Sequence, residues 1–196
     1  MTAKGFNPED YDITDNILKF SWNPVKINSK GTMEYRGGDI NYMSVVLAVS
    51  VMLKFALRKI QQDFLLVVPT DMDMKDAFKT EENVMFIPPH TMVRKHLQPA
   101  SAYEGYSNKQ LYTYSKAFFS FIRKEVYKEY RKLLKPVKVM LDKKESVSDS
   151  ILKKVKRKGF SDKLTQDYAN ELALFYSNKY KKDIYKLYDV LLKLDD

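Results

Sequence analysis

The stretch Ile40-Asn-Tyr-Met-Ser-Val-Val-Leu-Ala-Val-Ser-Val-Met-Leu-Lys-Phe-Ala-Leu-Arg-Lys-Ile-Gln-Gln62 decides how the chain folds. Apolar side chains recur at Met43, Val46, Leu47, Val49, Met52, Leu53, Phe55, Ala56 and Ile60, which covers nearly every face of an α-helix. A helix that apolar has to be surrounded by other elements, so it is expected at the centre of the molecule. It is not expected to span a membrane, because the run from Tyr42 to Leu57 is interrupted by Ser44, Ser50 and Lys54. Just upstream, Arg36-Gly37-Gly38-Asp39 reads as a turn into an N-cap, the Asp39 carboxylate accepting from first-turn amides.

Working outward toward the N-terminus, Ile17-Leu-Lys-Phe-Ser-Trp22 alternates apolar and polar positions as a strand does, with Thr32-Met-Glu-Tyr35 as its expected partner. Asn23-Pro24 and Asn28-Ser-Lys-Gly31 supply turn chemistry between them. Toward the C-terminus, Phe64 to Val68 and Val84 to Ile87 are short apolar runs closed by prolines, both read as strands. Thr70 and Asp71 can cap a short acidic helix ending near Lys79. Ser101 to Ser107 reads as a loop around Gly105, leading into a second long helix that ends at Lys135 before Pro136. Its inward stripe is Leu111, Tyr114, Phe118, Ile122, Val126, Tyr130 and Leu133.

Beyond Pro136 the pattern changes. A polar connection through Lys143 to Asp149 precedes a short basic helix ending at Lys158, with a turn at Gly159. Ser161 or Asp162 then caps a last helical region, which Ser177-Asn178 divides in two. The expected fold is therefore α+β and predominantly helical. A small mixed α/β body with two long helices spans residues 1–136, and a basic connector with a helical part spans residues 137–196. Leu47, Leu53, Phe118 and Ile122 are the expected core.

Charge is distributed unevenly. The chain of 196 residues carries +9 overall, but Lys116 to Lys158 alone holds 15 Lys and Arg against 5 Asp and Glu. A nearly neutral body thus carries one basic segment, which attracts polyanions or an acidic protein face. Lys153, Lys154, Lys156, Arg157 and Lys158 are the expected phosphate contacts, with Arg123, Tyr127 and Arg131 lining a helix edge suited to a duplex backbone. The competing reading is a solvated basic surface. Tyr103, Tyr106, Tyr112 and Tyr114 are candidates for an aromatic contact surface, packing being the alternative for each.

Motifs for catalysis are weak. Asp71, Asp73 and Glu82 fall at positions 1, 3 and 12 of a calcium-binding loop, yet Lys75 and Asp76 occupy positions that loop needs for a ligand and a glycine. His90 and His96 are six residues apart, which does not put both rings on one helical face. There is no phosphate-cradling glycine loop, no nucleophile elbow and no dinucleotide fingerprint. With zero cysteines, disulfides, thiolate metal sites and a cysteine nucleophile are excluded, and a reducing, cytoplasmic setting is expected. No enzyme activity, metal or cofactor is expected.

Abundant Lys, Tyr and Asn, a single Trp and the absence of cysteine and of enzyme motifs give a chain that resembles small phage proteins of low-GC Gram-positive hosts. Among these it is similar to the staphylococcal-phage inhibitors of host RNA polymerase that bind the housekeeping sigma factor. The resemblance is one of size and composition and carries over no residue. It implies a non-enzymatic protein that docks on the sigma factor in the bacterial cytoplasm and suppresses selected promoters. Arg123 to Lys135 and Ile151 to Lys158 are then where an auxiliary DNA contact sits. The alternatives are a direct nucleic-acid-binding protein of phage replication or packaging, and a magnesium-dependent nuclease built on Asp71 and Asp73. Oligomeric state stays open.

Overall fold

A computed structural model describes residues 25–27, 33–35, 41–160 and 163–194. The chain divides into two compact units, Met1–Ile40 and Asn41–Asp196. Residues on either side of Pro136 to Ser148, where the sequence places a boundary, therefore belong to one unit.

In the first unit, strands β1 (Val25–Ile27) and β2 (Met33–Tyr35) pair antiparallel, Lys26 opposite Glu34. The strand at Met33–Tyr35 is as expected, and among the described residues it pairs with Val25–Ile27. Ile17 to Trp22, the Asn28 to Gly31 turn and Asp39 lie outside the described residues.

The second unit is a helical assembly with a small sheet, in keeping with a predominantly helical α+β fold. Helix α1 (Met43–Gln62) is its centre. Val45, Ala48, Met52, Phe55 and Ala56 form its buried face, at helical spacing. Helices α4 (Lys109–Glu125), α5 (Lys135–Lys143) and α7 (Gln166–Leu192) and the 3-10 segment Lys128–Leu134 all pack on α1. The enclosure is incomplete, since Met43, Val46 and Leu57 are exposed. Of the expected core residues, Ile122 is fully buried and Phe118 packs against the core. Leu47 and Leu53 are only half-buried, because Ala48, Met52 and Phe55 on the same helix point more directly at α4 and α5.

The first turn of α1 is closed from far away. Tyr42 is the N-cap residue and makes no side-chain cap. Instead Asp183 of α7 accepts the Ser44 backbone N–H at 2.8 Å through Oδ2 and the Ser44 hydroxyl at 2.6 Å through Oδ1. A carboxylate at a helix N-terminus answers both the orphan amide and the positive end of the dipole.

The sheet has the order β3-β5-β4, with β3 (Leu66–Pro69) parallel to β5 (Val84–Ile87) and β4 (Thr80–Glu81) antiparallel to it. Between β3 and β4 the expected acidic helix does not form; Met74 to Phe78 make turns. The Asp73 carboxylate accepts the Lys75 N–H at 3.2 Å, a local bond that competes with helix propagation. Phe78 then adopts a left-handed φ of 66°, which a bulky residue rarely does. Its ring is held between Tyr114 and Phe118 of α4, with centroids 5.2 and 5.0 Å away.

After β5, α2 (His90–Met92), a π turn (Val93–Leu97) and α3 (Gln98–Tyr103) follow without a break. Ser101 to Tyr103 are thus helical, in place of the expected loop. The second long helix also differs: α4 ends at Glu125, and Val126 and Tyr127 are extended. Arg131 Nε donates to the Val126 carbonyl at 3.0 Å, and the Tyr127 ring meets Phe55 edge-on at 5.2 Å. These contacts reward the break. Pro136, expected beyond a helix end, sits in the first turn of α5, where its missing N–H costs nothing.

Helix α6 (Val147–Arg157) starts with a reciprocal capping box between Ser146 and Asp149. Gly105, at φ 57°, lies so close that a Cβ there would stand 3.1 Å from Asp149 Oδ1. Helix α7 is capped by Thr165, whose side chain accepts the Tyr168 N–H; Ser161 and Asp162 lie outside the described residues. It runs unbroken through Ser177-Asn178, since two mid-helix polar residues cost only propensity.

Candidate nucleic-acid interface

The outer side of α4 presents Lys116, Ser120 and Lys124 one turn apart, above a back buried at Phe119 and Ile122. Two open hollows meet along Ser120 and Lys124. The larger, about 800 Å³, lies between α4 and the Lys75–Glu81 turn and gathers Lys59, Lys75, Lys79, Lys116 and Lys124 against Glu81 and Glu125. The smaller, about 490 Å³, is lined by Phe119, Arg123 and Arg131 besides the shared pair.

The cations around these hollows differ in how they are held. Lys59 bridges Asp63 at 2.7 Å and Glu125 at 3.3 Å, and the hydrogen bond to Asp63 raises its ammonium above the ordinary lysine value. Lys75 pairs with Asp73 at 3.4 Å; the Lys75 backbone N–H in turn holds the Asp73 carboxyl below the usual range. Lys79 is bonded to Asp76, which likewise raises it. Lys116, Arg123 and Lys124 have no acidic partner among the described residues. Arg131 spends only its Nε on Val126, leaving the rest of its guanidinium for the hollow.

The other basic group is arranged differently. Lys153 is paired with Glu145, and with Ser150 this bond holds Glu145 below the ordinary carboxylate range. Lys154 Nζ stands 3.1 Å from the centroid of the Phe175 ring, and Lys158 Nζ 5.8 Å from that of Tyr168. Lys156 and Arg157, in the last turn of α6, are exposed and unpaired among the described residues. Arg123 and Arg131 are thus brought together with Lys124, whereas Lys153 to Lys158 occupy another helix.

Among the tyrosines, Tyr112 donates its hydroxyl to the Leu141 carbonyl at 3.1 Å. Burial raises the phenols of Tyr106 and Tyr114. These three pack, while Tyr103 is 89% exposed. His90 and His96 are both exposed on the α2–α3 run. Asp71 and His96 share a hollow of about 290 Å³, but no group of three His, Asp or Glu among the described residues is placed to hold a metal.

Lys116, Lys124 and Lys79 do not stand out as site residues from sequence. The four-residue spacing from Lys116 to Ser120 to Lys124 is the signal that could have found the first two; Lys79 joins them only through the Phe78 turn. No described helix is long and apolar enough to cross a membrane. Compared with protein-family models, curated proteins and solved structures, the chain matches none.

Proposed function

We propose that the chain is a nucleic-acid-binding protein whose contact surface is the cationic side of α4 and the 3-10 segment after it, with Lys116, Arg123 and Lys124 of the helix and Arg131 of that segment on phosphates and Lys79 at the rim. The observation that carries this reading is the meeting of two hollows along Ser120 and Lys124, around which three cations lack any described acidic partner. Unpaired cations on a rigid, concave support displace condensed counterions from phosphates at little cost in side-chain ordering. Hydroxyls of Thr113 and Ser120 in the same hollows add neutral donors to phosphate oxygens. With its cations assigned to phosphates, which carry no sequence information, binding is expected to be weakly sequence-dependent.

In a regulator of transcription such a surface is the DNA contact that accompanies docking on polymerase, the role that the compositional resemblance implies. A pull-down from nuclease-treated bacterial lysate separates the two. Retention of polymerase subunits supports a protein partner, and their loss leaves nucleic acid as the ligand. The groove itself is tested by titrating the purified chain with duplex and single-stranded DNA over a range of salt. Binding without salt dependence, or unaffected by joint Lys116→Ala, Arg123→Ala and Lys124→Ala substitution, sinks the reading.

A further inference from the structure

Helix α7 has two apolar faces, and the described residues cover one. Tyr168 and Leu172 are buried against the rest of the unit, and Asp183 on that side holds Ser44. On the opposite side Leu174, Tyr185, Tyr188 and Leu192 are 66, 72, 60 and 50% exposed. With Asn178 and Lys181 between them, these residues follow one another in steps of four, three, four, three and four. That is the spacing of a coiled-coil seam. At 1.5 Å per residue the seam is about 27 Å long.

The order of residues along the seam is complementary to its own reverse. Two copies laid antiparallel about Asp183 put Leu174 of each against Leu192 of the other, Asn178 against Tyr188, and Lys181 against Tyr185. Leucine meets leucine at both ends, an amide meets a phenol hydroxyl, and an ammonium meets an aromatic face. Laid parallel and in register, the same seam sets Lys181 against Lys181 and Asn178 against Asn178, so charge selects the antiparallel arrangement. We propose that this seam is an isologous interface through which a second copy of the chain docks antiparallel on α7.

The two-fold relation also fixes the flanks. On one side of the seam Ile184, 39% exposed, comes beside its counterpart. On the other, Lys182 comes beside Lys182, a repulsion that salt screens. Self-association is therefore expected to strengthen with added salt, whereas nucleic-acid binding by α4 weakens, so the two readings stand or fall separately.

The test is sedimentation of the nuclease-treated full chain over a wide concentration range. The expected result is a reversible monomer–dimer equilibrium, tighter at high salt, which Tyr185→Glu weakens by at least about tenfold, or ~1.4 kcal/mol, with the helical circular dichroism unchanged. Because the chain has no cysteine, register is read by disulfide trapping. A mixture of Leu174→Cys and Leu192→Cys chains is expected to cross-link, and Leu174→Cys alone is not. A monomer at every concentration, a dimer indifferent to Tyr185→Glu, or efficient cross-linking of Leu174→Cys to itself would each overturn the proposal. So would a lysate protein held by the seam of a chain that does not self-associate.

Discussion

Helices α4 and α6 are both lysine-rich, and in the sequence α6 is the more conspicuous, with five cations in six residues from Lys153 to Lys158. In the folded chain their standing reverses. Three of the five α6 cations are engaged within the molecule, by Glu145, Phe175 and Tyr168. On α4 Arg123 and Lys124 have neither an acidic nor an aromatic partner among the described residues, while Lys116 has no acidic partner and its Nζ stands 5.6 Å from the centroid of the Tyr112 ring. The supports differ too: α4 is anchored by Phe119 and Ile122, while α6 contains no buried residue. Charge density along a chain measures how many cations are present; packing decides how many remain to meet a ligand.

The largest expected effect tests the supports. Ile122→Ala, at a fully buried position, should cost about 2–5 kcal/mol in unfolding free energy, while Ile151→Ala on half-buried α6 should cost clearly less. Denaturant midpoints of the two variants give the ranking, and equal losses would remove the contrast. Leu53→Ala, half-buried on α1, belongs at or below the lower end of the Ile122 range.

Next comes the contrast in available charge. Every phosphate left without its cation should reduce the slope of log affinity against log salt by about 0.9. Joint alanine substitution of Lys116, Arg123 and Lys124 should therefore flatten it by about 2.7. The same treatment of Lys153, Lys154 and Lys158 should change it little. A larger change from the α6 triple variant would move the interface there, with Lys156 and Arg157 as its remaining cations.

Smaller effects sharpen what α6 does with its charges. If Lys154 serves the fold by covering the Phe175 ring, Lys154→Ala should cost roughly 0.5–1 kcal/mol, seen as a modest drop in thermal midpoint with DNA affinity unchanged. The Glu145 pair should add a faint acid sensitivity. Its carboxyl is held below the ordinary value by Lys153 and Ser150, so its contribution is present at neutral pH and fades as pH falls through and below the usual carboxylate range. Comparing Glu145→Gln with the parent chain by acid titration should show that small dependence disappear in the variant.

Much of the fold was legible because periodicity and local chemistry agree. The α1 stretch, the apolar runs at β3 and β5, and the basic helix α6 each appear where spacing places them. The misplacements share a physical cause, a tertiary contact overriding local preference. Val126 sits in a helical stripe, yet the pull of Tyr127 onto Phe55 and the bond from Arg131 end α4 early. Thr70 and Asp71 offer helix caps, yet Asp73 ties down Lys75 and Phe78 is drawn onto α4. At the candidate interface Arg123 and Arg131 were readable as one helix edge, but α4 ends at Glu125 and Arg131 lies on the 3-10 segment beyond the break, next to the same hollow. Lys79 was not readable, since only the fold carries a residue from beside the sheet to the rim of that hollow.

The Asp183 carboxylate on Ser44 spans 139 residues of sequence. On the ribosome the most apolar helix of the chain is made early, but the group that completes its first turn arrives only when the last helix has emerged. Until then the Ser44 amide and hydroxyl lack their Asp183 partner, and the flank of α1 that faces α7 is uncovered. Closure of so long a loop is slow relative to helix formation, so completion of α1 waits on a contact made far along the chain. A ribosome-stalled chain that lacks α7 therefore leaves that one flank of its central helix available to chaperones.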